Sequence, residues 1–417
     1  MLVLVSLTLQ LCLLHFGCRR RYSAKTWLSV FLWLSYLCAD TVATVALGVI
    51  SNNQGIGNDS HLQNELIAFW APFLLLHLGG QDTITAYAVQ DNELWSRHLL
   101  GLLVQSGVVL YIILLSWKVS WLSFLTIPLF LAGLIKYAER TWVLKSANND
   151  IWYAWYWDWG MSLALGRTLP FFKLTSHNIK IGTFQFFECI RCLFLNQKPP
   201  VRGGQSYSDF RDSQTAWNTI EGELGFAYDV FYTKAPFFFT GRGILLRTFS
   251  FTSLLFVFVL FLIKESHKHP FVDLIVTYLL LVGAILMEIY GGILLCASDW
   301  PFHGYGIFAC CFRPLLTSIR SRCAKLTSKQ RWSNSMCQLD LLGFCLNDKS
   351  PQDGDETPTL SSNFRGWALN KVLPKINGEL EMLFYMTHKP VSAELKNYVY
   401  MSFQAERGWD SSGFPEK

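Results

Sequence analysis

Three ionisable side chains stand inside long apolar runs of this chain: Asp40, His77 and Glu288. An acid at the centre of a membrane helix costs roughly 3 kcal/mol on insertion scales unless it faces a partner or water, and histidine changes charge near neutral pH. Such groups on three helices carry two readings. They can line a proton or ion path, or they can hydrogen-bond between helices and fix their packing. The second asks for less, because no repeat of the two halves and no pair of broken helices is visible.

A second group of oxygen-bearing residues follows the dipeptide Gly79-Gly80: Asp82, Thr83, Thr85, Asp91, Asn92 and Glu93. Oxygen ligands suit a hard cation, but a calcium loop needs alternate-position ligands, a central Gly and a closing Glu, and that spacing is missing. Capping accounts for them better. Asp82 can accept backbone N–H groups at a helix start, Asp91 or Asn92 can cap the helix that follows, and Gly79-Gly80 reads as the C-cap of the helix before. The pair is no phosphate loop, since no Lys-Ser/Thr follows. Cys189 and Cys192 have the spacing of half a zinc site, with no second pair to complete four ligands. Neither Gly-x-Ser-x-Gly nor His-Glu-x-x-His occurs. The expectation is a chain with no catalytic set, no metal site and no cofactor, and not an enzyme.

The elements that must hold these groups are membrane helices. Only 16% of the 417 residues are charged and 51% are hydrophobic, against about one-quarter charged in soluble domains. Net charge is +5, and the basic residues sit beside apolar runs rather than on one folded face, which argues against a nucleic-acid partner. The bilayer is the expected one. Apolar runs cover Leu2 to Phe16, Trp27 to Ile50, Leu66 to Leu78, Leu99 to Ser116, Val119 to Ile135, Gly243 to Ile263 and Leu274 to Ala297. The run Leu66 to Leu78 is short for a span and carries Pro72, so a kinked crossing or a re-entrant segment is expected there. In Trp27 to Ile50, eleven Leu, Ile, Val and Phe residues contribute roughly −3 to −6 kcal/mol against about +3 for the one Asp, so the helix inserts despite Asp40.

Between the fifth and sixth runs, residues 136–243 are mixed in character. The Trp-rich stretch Ile151 to Gly160 suits the headgroup zone, and Lys198 to Gly204 is a breaker cluster. Trp217, Ile220, Leu224, Ala227 and Phe231 recur at helical spacing, with Glu221, Glu223 and Asp229 around the polar side. This is an amphipathic helix, and Trp217, Ile220, Leu224 and Phe231 form its candidate docking face for a cytoplasmic protein partner.

These runs give an all-α integral membrane protein of about seven transmembrane helices. Residues 1–135 hold the first five, 136–243 a long cytoplasmic loop, 244–297 the last two and 298–417 a cytoplasmic C-terminal segment. Lys and Arg cluster after the first, fifth and seventh runs, which places those ends in the cytoplasm and the N-terminus outside. The turn carrying Gly79, Gly80, Asp82, Asp91 and Glu93 is then cytoplasmic, and the sequon at Asn58 lies in an outer loop where glycosylation is possible.

The segments AFWAPFLLLHLGGQDTITAYAVQDNELWSRHLL, FLWLSYLCADTVATVALG, EGELGFAYDVFYTKA and WSNSMCQLDLLGFCL resemble the plant membrane proteins grouped as domain of unknown function 4220, from about Trp27 to the late 380s. The resemblance implies a multi-helix plant membrane protein of unestablished activity. Relatives commonly continue into a second cytoplasmic domain, domain of unknown function 594, and no recognisable copy precedes Lys417. Two functions follow from the residues: a membrane-anchored interaction or scaffold protein, or a transporter or channel using Asp40, His77 and Glu288.

Overall fold

The computed structural model describes residues 1–23, 26–56, 61–118, 120–148, 212–264, 270–298, 318, 335–339 and 386–410. They fall into two compact units, Met1–Arg21 with Val30–Lys329, and Tyr22–Ser29 with Gln330–Lys417. The first unit is helical. Its elements are α1 (Leu2–Gly17), α2 (Thr26–Ile56, from Val30 on), α3 (His61–Leu78), α4 (Trp95–Leu115), α5 (Trp121–Ala147), α6 (Ser213–Tyr232), α7 (Gly241–Lys264) and α8 (Phe271–Ala297). Short 3₁₀ turns at Cys18–Arg21 and Val89–Asn92 and one helical turn at Ala235–Phe238 join them. The second unit holds α9 (Ala393–Asp410) and an antiparallel strand pair, β1 (Ser335–Leu339) with β2 (Met386–Pro390). The described residues are otherwise mostly helical, as expected of an all-α membrane protein, and this short pair is the one strand element among them.

Local chemistry sets several helix ends. The Ser120 hydroxyl accepts from the Ser123 N–H at 3.2 Å at the start of α5, and the Asp212 carboxylate accepts from the Thr215 N–H at 3.0 Å at the start of α6, satisfying donors that a helix start leaves open. Helix α3 stops where Gly79 and Gly80 donate to the carbonyls of Leu75 and His77. Gly80 adopts φ +65, a left-handed conformation that favours glycine.

Six helices, α1, α2, α4, α5, α7 and α8, are long and apolar enough to cross a membrane. Helix α3 is shorter in its apolar part, Glu65–Leu78, and its place in the fold explains why. Leu66, Phe69, Ala71, Phe73, Leu74 and Leu75 are each 0% exposed, so α3 is apolar all round because protein surrounds it. Its neighbours instead leave large apolar side chains outward, such as Leu103, Leu114, Leu245 and Ile263, a surface suited to hydrocarbon. Where the sequence suggests about seven crossings, six helices have the length and apolar character of a span, and α3 packs among them as a buried, shorter apolar helix. At Gly133 of α5 an added Cβ would lie 3.1 Å from both Leu75 Cβ and the Pro72 carbonyl oxygen, so α5 presses directly on α3.

An aromatic cluster ties the core together. Phe69 of α3 meets Phe73 edge-on at 5.7 Å and stacks on Phe261 of α7 at 6.0 Å. Phe261 also touches Trp121 of α5 and Tyr278 of α8. Phe69→Ala removes the centre of this cluster and should cost about 3–5 kcal/mol, whereas Leu103→Ala on the outward face of α4 should change stability little. Unfolding in detergent micelles measures the difference.

Candidate functional site: a buried charge cluster around the Asp82 turn

The polar turn after α3 is not on the surface. Every residue from Gly79 to Ala86 is buried, with Asp82 and Thr85 at 1% and Ala86 at 0% exposure. Irregular backbone in such a place must have its N–H and C=O groups satisfied by the protein around it. The neighbours do so. The Leu78 carbonyl accepts from Arg140 Nη1 at 2.8 Å, and the Gly79 carbonyl from Lys234 Nζ at 2.9 Å. The Asp82 carbonyl accepts from the Lys234 N–H at 3.0 Å, and the Thr85 N–H donates to the Tyr232 carbonyl at 2.8 Å. Gln81 donates to Gln10 of α1 at 3.0 Å.

Charge completes the site. Arg247 of α7 donates to Asp82 Oδ2 and lies 3.0 Å from Glu288 Oε2 of α8. Lys136 of α5 pairs with Glu288 Oε1. Lys234, just before the helical turn, lies 3.9 Å from Asp82 Oδ1. Glu139 of α5 is buried beside them, within the field of Lys234 and Arg247. Three acids (Asp82, Glu139, Glu288) thus face three cations (Lys136, Lys234, Arg247), and the formal charge sums to zero. Burial raises the Asp82 carboxyl, but the Arg247 guanidinium, with Lys136 and Lys234, outweighs it and holds the group well below the usual carboxylate range. Burial pulls the Lys234 ammonium down to about 8, against the opposing pull of Asp82 and Glu139. Ions this deep are tolerated only when paired, and removing one partner leaves an uncompensated charge.

The three ionisable groups that an ion path would bring together, Asp40, His77 and Glu288, do not converge. Asp40 of α2 takes a two-pronged contact from Arg140, Nη1 to Oδ1 at 2.8 Å and Nη2 to Oδ2 at 3.1 Å, the planar fork geometry that makes such pairs strong. His77 meets Ser6 Oγ through Nδ1 at 2.9 Å, among apolar neighbours of α3. Glu288 alone joins the cluster. Asp82 is no helix cap: Arg247 donates to its Oδ2, and its Oδ1 faces Lys234 Nζ at 3.9 Å without a hydrogen bond. Asp91 does bind backbone, accepting from the N–H groups of Tyr87 and Ala88 at 2.8 and 2.9 Å, but this closes the 3₁₀ turn and not α4, whose N-cap position is Leu94 with no side-chain cap. Asn92 reaches the Phe231 carbonyl at 3.2 Å, and Glu93 is exposed.

On α6 the buried row is Ala216, Thr219, Glu223, Phe226, Ala227 and Val230. It lies one residue round from the expected stripe, so Ile220 is 42% exposed, Trp217, Leu224 and Phe231 are half-buried, and Glu223 and Asp229 face inward. Arg21 holds Asp229 with bonds of 3.1 and 3.0 Å, and Arg20 lies between the rings of Tyr87 and Tyr232 at 4.3 and 5.0 Å. Asn58, the Trp-rich stretch, Cys189 and Cys192, the breaker cluster and the basic residues just after Trp300 lie outside the described residues.

Sequence reasoning did not single out Lys136, Glu139, Arg140, Lys234 or Arg247 as partners of the buried acids. One signal was present. Lys136, Glu139 and Arg140 stand at i, i+3 and i+4, on one face of α5, and α5 continues past Ile135 to Ala147. Among the described residues no group of three or more His, Cys, Asp or Glu could hold a metal ion.

Glycine makes room for the central ion pair. A Cβ on Gly291 of α8 would stand 2.5 Å from Asp82 Oδ2, whereas one on Gly292 would meet nothing within 4 Å. Gly291→Ala should destabilise by about 1–3 kcal/mol, as overpacking does, and Gly292→Ala should leave stability within roughly 0.5 kcal/mol. Thermal unfolding of the two purified variants compares them.

A family model described as domain of unknown function (DUF4220) matches residues 33–179 and 173–345. Comparison with curated proteins and with solved structures finds no match. The family match runs through Asp40 and all six residues of the charge cluster, and the helices it covers are those of a multi-pass membrane protein. The chain belongs to the DUF4220 family.

Proposed function

We propose that the protein is a membrane-anchored interaction protein, in which the helical bundle holds α6 at one end as a docking element. The observation that carries this reading is how α6 is fastened. Arg21 grips Asp229, Tyr232 takes the Thr85 N–H, and Lys234, two residues beyond the helix, is driven into the Asp82 cluster. One side of the helix is thereby fixed, while Ile220 stays exposed and Trp217 and Leu224 half so. A helix held so firmly with apolar side chains outward suits a protein partner that lays its own apolar surface on it.

Transport through Asp40, His77 and Glu288 is the competing reading, and it lacks the convergence it needs. Asp40 is held by Arg140, His77 by Ser6, and Glu288 by Lys136 and Arg247, each at a separate helix contact. The charge cluster is neutral and closed on itself, which favours a lock over a path. The ends of α1, α3, α5 and α8 and the start of α7 meet around this cluster, through Gly17 beside Thr83, Gly79 beside Lys136 and Arg247 beside Glu288. With basic residues concentrated there, that end is the cytoplasmic one in our reading, which places α6 within reach of cytoplasmic partners and the N-terminus outside. The plant origin is carried by the family resemblance.

Reconstituted in liposomes, the protein should give no proton or cation flux above that of empty vesicles, and Asp40→Asn, His77→Gln and Glu288→Gln should leave that baseline unchanged. A photo-crosslinker at Ile220 should trap a cytoplasmic protein in native membranes, and Trp217→Ala with Leu224→Ala should abolish the adduct. Flux that the three substitutions remove from a still-folded protein would overturn the reading.

A further inference from the structure

Glu223 is a buried acid on α6 that no cation or hydrogen-bond donor among the described residues meets. It sits in the inward row of α6, one turn after Thr219 and one turn before Phe226 and Ala227, and is 1% exposed. Neither carboxylate oxygen has a hydrogen-bond partner. Of the other acids near it, Asp229 is held by Arg21, Asp82 and Glu288 by Arg247, and Asp91 by two backbone N–H groups, while Glu139 lies in the field of Lys234 and Arg247. Charged groups on what packs against α6 are Lys136, Glu139, Arg140 and Lys145 of α5, Asp91 of the 3₁₀ turn, Lys234 before the helical turn, and Arg20 and Arg21 after α1. Glu221 and Asp229 stand on α6 itself. None is paired with Glu223, and burial alone acts on its carboxyl. An ionised carboxylate without charge partner or hydrogen bond is among the costliest groups to bury. The neutral acid is far cheaper there.

We propose that seating α6 on the bundle takes up one proton at Glu223, so that acid tightens the helix and alkali loosens it. The inference does not depend on α6 having a partner. In the seated helix burial pushes the Glu223 carboxyl up from 4.5 to about 8, and a lifted helix returns it to its ordinary value. The sign follows from linkage. Below about 4.5 the acid is neutral in both states and seating is tightest. Between about 4.5 and 8 the seated form holds a proton that the lifted form has lost, so the opening constant rises about tenfold per pH unit. Above about 8 it levels off as far as Glu223 is concerned. Lys234, pulled down to about 8 from 10.5, is charged in both states below that point, and above it acts in the opposite sense. Asp82 is held low enough to stay ionised throughout. Neither Lys234 nor Asp82 therefore changes charge in the window below 8, and the Glu223→Gln background isolates the part that Glu223 contributes.

The test uses the full chain in lipid nanodiscs with a cysteine at Ala227, in the buried row at 7% exposure. Its maleimide labelling rate is divided by that of a cysteine at exposed Ile220, which cancels the intrinsic pH dependence of the thiol. From pH 5.5 to 8 the ratio should climb about tenfold per unit, and in the Glu223→Gln background it should be flat. The same slope in both backgrounds, or no slope in either, would overturn the proposal. Should Glu223→Gln fold poorly, infrared difference spectra of the parent decide the matter. A protonated-carboxyl C=O band present at pH 7 and lost above pH 9 is expected, and its absence at pH 7 contradicts the proposal.

Discussion

An aspartate on non-helical backbone inside a helical bundle is the constraint from which most of this structure follows. Asp82 is 1% exposed, and a carboxylate there is tenable only if cations reach it. Arg247 comes from α7 and Lys234 from the connection before it, so the segment after α6 must enter the bundle instead of skirting it. Arg247 brings Glu288, Glu288 brings Lys136, and the charged end of α5 is drawn inward instead of ending in water. Gly291 leaves the volume that the Asp82 carboxylate occupies, and Gly79 allows the turn to lie against the backbone of Lys136.

The position of α3 belongs to the same arrangement. A helix whose last residues feed a buried turn is itself enclosed, and protein-facing contacts replace lipid on every side. That is why its apolar part can be shorter than a span while the helices around it keep the length and outward apolar faces of membrane helices. The Phe69, Phe73 and Phe261 contacts supply packing where the cluster supplies polarity.

Much of this was legible in the residues. Apolar runs marked the helices, Gly79-Gly80 marked the end of α3, and Asp40, His77 and Glu288 were recognised as groups that hydrocarbon would not tolerate alone. Which partners they take was not legible, because pairing depends on contacts across long sequence separations, Arg140 with Asp40 and Lys136 with Glu288, that no local pattern encodes. The burial of the turn was not legible either, because six oxygen-bearing side chains in a short stretch are usually solvated, and only the tertiary fold shows that protein groups replace the water. On α6 the hydrophobic stripe was read one residue out of phase. Trp217, Ile220 and Leu224 outweigh Ala216 and Thr219 in apolar size, yet it is Ala216 and Thr219 that stand in the buried row. The second unit's strand pair carried too few residues for a period-two signal.

The central claim is that the buried turn is held by matched charges rather than by packing alone, and a double-mutant cycle tests it most directly. Asp82→Asn leaves the cluster with one excess positive charge, Arg247→Gln with one excess negative, and the double variant with none. Unfolding free energies in detergent should show each single substitution costing about 3–5 kcal/mol, and the double variant more stable than the sum by about 1–3 kcal/mol. Single costs that simply add, or an Asp82→Asn protein as stable as the parent, would contradict the account.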